Sequence, residues 1–199
     1  MKLPLLAALA GLVLMTGAAQ AQYQTNHQVG VYINPIVSRI SNPADTGLFA
    51  FLGPNTSSRI FAGFDLGAYD DFSHSPSNDI GVDVRGSFLR GNGAFLGSFL
   101  VGPRVVFKPS SKMKPYVEGL IGVARSRPPH NPRGLSALQY GILGGVDYSF
   151  SSHVDFRMFE VGYSAAQTIG SGVFGGTGTT STNTSKMLNV STGLVFRFK

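Results

Sequence analysis

Cysteine and tryptophan are both missing from the 199 residues. Without cysteine there can be no disulfide, no thiolate metal site and no lipidated cysteine of a lipoprotein, and thiols say nothing about redox compartment. Charge is scarce as well: 13 % of residues are charged against 43 % hydrophobic, a composition that excludes a disordered chain and suits one domain. Lysines stand at 2, 108, 112, 114, 186 and 199, none in the middle of an expected strand. Long apolar runs are lacking beyond Met15. The one such run, Leu3 to Met15, follows Lys2 and leads into "GAAQAQ", with small residues at Ala19 and Ala21. This is the layout of a cleaved secretory signal over residues 1–21, and the run is shorter than the about 20 residues a spanning helix needs. Any membrane residence of the expected mature domain, 22–199, must therefore come from strands. The net charge of +6, or +5 without Lys2, forms no helical basic stripe, so an exported chain of this kind is not expected to bind nucleic acid.

What the sequence does have is glycine, 26 residues of it, and alternation. From Gln28 onward, stretches of about ten residues with a period of two are separated by Gly, Pro, Asn and Ser clusters. Eight strands are expected, roughly at 28–38, 58–69, 79–90, 94–107, 115–125, 136–149, 153–164 and 186–198. The connections alternate between long ones, such as "SNPADTGLFAFLGPNT", and short ones, such as "SSH". Long outer loops, tight periplasmic turns and an even strand number describe an outer-membrane barrel. "GNG" at 91–93 is short for an outer loop, and "DFSHSPSN" is long for a periplasmic turn.

One face of the strands is apolar. The other collects Asp65, Asp83, Arg85, Arg104, Glu118, Asp147, Asp155, Arg157, Glu160 and Arg197 among Gly and Ser. A soluble barrel or sandwich would turn that face to water and favour Lys and Glu there. A narrow closed lumen instead needs its charges paired, and the planar fork of Arg satisfies two carboxylates at once. The alternation breaks at "FRMFEV", where Met158 and Phe159 are adjacent, and a β-bulge there would return Glu160 to the charged face.

The stretches "VGPRVVFKPSSKMKPYVEGLIGVA", "YGILGGVDYSFSSHVDFRMFEVGYS" and "NVSTGLVFRF" resemble the OmpA-like eight-stranded outer-membrane β-barrel family, in its small porin-like branch. The resemblance covers strands four to eight. It implies an all-β, eight-stranded antiparallel up-and-down transmembrane barrel lined by paired Arg and carboxylates, with outer loops left for surface contacts. The peptidoglycan-binding domain of some relatives is not expected here. Ser191, Gly193, Phe196 and Phe198 resemble the C-terminal assembly signal of bacterial outer-membrane proteins, which implies the barrel-assembly machinery as a partner.

The four His, at 27, 74, 130 and 153, are scattered and offer no metal set. "GGTGTTSTNT" lacks the Lys and following helix of a phosphate loop. No cofactor and no catalytic residues are expected, although a lipid hydrolase would need a His beside a Ser, and His74 and Ser75 are adjacent. Arg125, Arg127 and Arg133, in the Pro-rich "RSRPPHNPRG", would bind lipopolysaccharide phosphates if that loop faces outward. The expectation is an outer-membrane protein of a Gram-negative bacterium serving envelope integrity or surface interaction through an unknown ligand. The alternatives are a narrow solute channel and a lipid-modifying enzyme.

Overall fold

The period-two pattern becomes eight long strands in the computed structural model, which describes residues 27–40, 48–49, 52, 59–108, 110, 112–129, 134–168 and 184–198. The expected signal segment, Arg133 and most of the long outer connections lie outside the described residues. The strands are β1 (Gln28–Ile40), β2 (Ile60–His74), β3 (Asn78–Gly91), β4 (Ala94–Phe107), β5 (Met113–Arg127), β6 (Leu135–Ser149), β7 (Val154–Thr168) and β8 (Thr184–Phe198). Each pairs antiparallel with its sequence neighbour, and β8 pairs back onto β1, so the sheet closes into a barrel. Closure leaves no open edge of backbone donors and acceptors, the condition for a sheet to stand in lipid.

Polarity is inside out. Ile142, Phe99, Phe64 and Val123 are 67, 56, 55 and 55 % exposed on the outer surface, while Asp83, Glu118, Arg104 and Arg157 are buried within the barrel. In water this would expose an apolar belt running round the whole molecule, far beyond the few hundred Å² usual for a soluble monomer. Against acyl chains the same belt is satisfied. The fold is a transmembrane β-barrel of eight antiparallel strands, too narrow to hold more than its own side chains.

Two irregularities explain where the sequence pattern faltered. The ladder between β2 and β3 shifts register between Asp71 and Ser73, so one extra residue, Phe72, lets β2 continue to His74. The apparently long "DFSHSPSN" connection is therefore mostly strand, and the turn is Ser75 to Ser77. On β7, register shifts between Arg157 and Glu160 against β8. Met158 and Phe159 both face outward there, and Glu160 returns to the interior. "GNG" is a two-residue hairpin whose Asn92 and Gly93 have φ of 52° and 71°, the left-handed pair that a type I′ turn requires.

A lumen of paired charges beneath an apolar cap

Three arginines from three strands form the centre of the lumen. Arg85 on β3 donates to Glu160 through Nη1 at 2.8 Å and Nη2 at 3.1 Å, and its Nη2 also reaches Glu118 at 2.9 Å. Arg104 on β4 donates to Glu118 at 2.6 Å and to Asp147 at 3.2 Å. Arg157 on β7 donates through Nε to Asp147 at 2.9 Å and through Nη1 to Glu160 at 3.2 Å. Asp83 lies 3.3 Å and Asp65 3.6 Å from Arg85. Nearer the chain ends, Arg197 Nε lies 2.8 Å from Asp155, which Lys114 approaches to 3.4 Å. The structure thus brings all ten charged lumen candidates inside and links them in two groups.

Three tyrosines that sequence reasoning did not single out complete the network. Tyr116 donates to Glu160 at 2.6 Å, and Tyr32 donates to Asp83 at 2.9 Å. Their rings stack on the guanidinium groups. Arg104 lies 4.2 Å from the Tyr69 ring centroid and 4.1 Å from that of Tyr116. Arg157 lies 4.5 Å from Tyr32 and 4.8 Å from Tyr116. These distances are those of cation–π contacts. Each tyrosine stands directly opposite a glycine on the neighbouring strand: Tyr32 against Gly67, Tyr69 against Gly30, Tyr116 against Gly145. A Cβ at Gly67 would lie within 2.5 Å of Tyr32, and one at Gly30 within 2.5 Å of Tyr69. The missing side chain is the space in which the ring lies.

The outer end of the lumen departs from the expected polar lining. Ile36, Ile40, Phe61, Leu89, Leu96 and Met187 point inward there and pack with Leu48, Phe49 and Leu52 from the connection between β1 and β2. Phe49 meets Phe61 edge-on with ring centroids 6.2 Å apart, and Ser126 Oγ donates to the Leu48 carbonyl at 2.6 Å. This apolar cap went unrecognised because inward Ile and Leu in an alternating strand look like lapses in the pattern. The available signal was position, since Ile40, Phe61, Leu89, Leu96 and Met187 lie near the outer ends of their strands, although Leu100, Leu120 and Leu143 also face inward further down. Between cap and charges a cavity of about 30 Å³ is lined by Ile36, Leu120, Asp65, Gln139 and Ser191, room for about one water.

Ser191 and Gly193 of the expected assembly signal face inward, Ser191 Oγ donating to Glu160 at 2.9 Å. Phe196 and Phe198 face out. Arg125 and Arg127 end β5 at the outer rim, exposed. His74 lies 2.6 Å from Asp79 at the opposite end of the barrel, and Asp79 in turn pairs with Lys108 at 2.5 Å. A second adjacent Ser and His lie close together: Ser152 Oγ is 2.8 Å from His153 Nδ1 in the exposed β6–β7 turn.

No protein-family model matches the chain, and no curated protein does. Solved structures of similar shape include Neisserial surface protein A, at 14 % identity over 86 % of this chain and 97 % of that one, TM-score 0.47. The attachment invasion locus protein Ail of Yersinia pestis is 13 % identical over 87 % and 100 %, TM-score 0.47. The outer membrane protein OprG of Pseudomonas aeruginosa is 13 % identical over 87 % and 96 %, TM-score 0.41. At such identities the likeness extends to overall shape and no further; what the chain itself displays is an eight-stranded transmembrane β-barrel with a charge-paired, capped interior.

Proposed function

We propose that this protein is a non-conducting outer-membrane barrel of a Gram-negative envelope, a rigid wall element that holds its outer segments at the cell surface. The observation that carries this reading is the double obstruction of the lumen. Arginine–carboxylate pairs from β3, β4, β5, β6 and β7 cross the interior, and an apolar cluster fills the outer end. A solute path would have to break both. Delivery by the barrel-assembly machinery, reading Ser191, Gly193, Phe196 and Phe198, belongs to the same proposal.

The catalytic alternative has less support. Ser152 and His153 are neighbours in a turn at the end of the barrel away from the outer rim, whereas a lipid hydrolase of the outer leaflet needs its pair on the lipid-facing wall. The channel alternative is decided by recording from the purified protein in a planar bilayer. The expected trace for the wild type is flat, and steady conductance would overturn the proposal. Arg104→Ala combined with Arg157→Ala, which removes two of the three central cations, is expected to raise conducting events above the wild-type level.

A further inference from the structure

The outward-facing charges are unevenly distributed. At the outer ends of the strands, Arg39, Arg90, Arg125, Arg127 and Lys186 are all exposed. Among the described residues the one carboxylate on an outward-facing strand position is Asp70, at the opposite end beside His27. The cations are also unequal among themselves. Phe95 on β4 is the direct partner of both Arg90 on β3 and Arg127 on β5. The two arginines therefore flank one ring, about 10 Å apart at two strand spacings. Arg125 lies one pleat lower, opposite Gly97, whose other partner is Phe88.

Beneath these three arginines the wall changes relief. Gly97 and Gly86 face lipid without side chains, the Phe95 and Phe88 rings lie nearest to them, and Phe88 and Phe99 stand at 52 and 56 % exposure. Val123 and Ile121 continue the apolar field on β5 at 55 and 53 %. An apolar strip in which the Phe95 and Phe88 rings lie against Gly97 and Gly86 thus runs down the wall below the three arginines, of which Arg125 leans towards Gly134 just before β6.

We propose that the β3–β5 face is a binding site for a phosphorylated glycolipid of the outer leaflet. In this site Arg90, Arg125 and Arg127 hold the headgroup phosphates, and an acyl chain lies along the apolar strip of Phe95, Phe88 and Phe99. The inference rests on the outer-membrane reading and gives it a lipid partner. Arginine suits the headgroup because its planar fork meets phosphate oxygens in pairs. Phe95 and Phe88 hold the apolar stems of the arginines near the interface.

The test uses the full-length protein refolded in phosphatidylcholine vesicles, with fluorescent bisphosphorylated lipid A added as the probe. Arg90→Gln/Arg125→Gln/Arg127→Gln is compared with the charge-matched Arg39→Gln/Arg59→Gln/Lys186→Gln from the β1, β2 and β8 side. Heat-dependent gel migration confirms that both sets fold. The first triple variant is expected to bind the probe on the order of tenfold more weakly, as three exposed ion pairs allow, while the second keeps wild-type affinity. Gly97→Leu, which displaces the Phe95 ring from the strip and leaves every charge in place, should weaken binding as well. Equal losses in the two triple variants, or phosphatidylglycerol competing as well as lipid A, would reduce the site to general basicity and overturn it. Failure of the wild type to insert into phosphatidylcholine alone would instead remove the membrane reading beneath it.

Discussion

Glu160→Ala should cost the folded barrel about 3–5 kcal/mol, the usual consequence of removing one partner of a buried ion pair. Glu160 is where the network converges: Arg85 holds it with two nitrogens, Arg157 with one, and the hydroxyls of Tyr116 and Ser191 donate to the same carboxylate. Truncation leaves two guanidinium groups short of an acceptor beside a cavity with room for about one water. Glu160→Gln keeps the shape and one acceptor oxygen, so its loss should be smaller. Urea titration of protein refolded in phospholipid vesicles, followed by circular dichroism and gel migration, measures both. A loss below about 1 kcal/mol for the alanine variant would show that the pairs are individually dispensable.

The second large effect is expected from the smallest side chain. Gly67→Ala places a methyl group 2.3 Å from the Tyr32 hydroxyl oxygen and 2.6 Å from the Val84 carbonyl. The ring cannot swing away, because Arg157 stacks near it and its hydroxyl is bonded to Asp83. Overpacking of this kind costs about 1–3 kcal/mol. The diagnostic is a double-mutant cycle: in a Tyr32→Ala background the same glycine substitution should cost clearly less, only the Val84 carbonyl contact remaining, a coupling that neighbouring residues show and distant ones do not. Equal costs in both backgrounds would place the strain at the Val84 backbone and not in the glycine–tyrosine pair.

The sequence carried the barrel because period two runs through the strands and is broken only at the bulges of β2 and β7, and the bulge at Met158 and Phe159 was visible as two adjacent apolar residues before Glu160. The charged side was legible for the same reason: Asp83 and Arg85, or Asp155 and Arg157, share a face by spacing alone. What parity does not reveal is who meets whom across the lumen. Arg85 reaches Glu118 and Glu160, which are 33 and 75 residues away, and no local pattern encodes such partners. The tyrosines were hidden because Tyr140 and Tyr163 face lipid while Tyr32 and Tyr116 face inward, so residue type gave no direction. Asp71 was overlooked because the extra Phe72 disguised the end of β2. The lipid-facing arginine cluster needs the pairings of Phe95 on both sides before it becomes a group.

The reach of the central arginines bears on how the chain is put together. Arg157 on β7 stacks against Tyr32 on β1, and Arg85 on β3 is tied to Glu160 on β7. These meetings happen only once the first and last strands have joined. A cylinder lacking one stave would therefore leave ions without counter-ions at its open seam. Half-built forms gain little from their interior, and most of the reward arrives in the final zippering, so insertion should end in a single abrupt step.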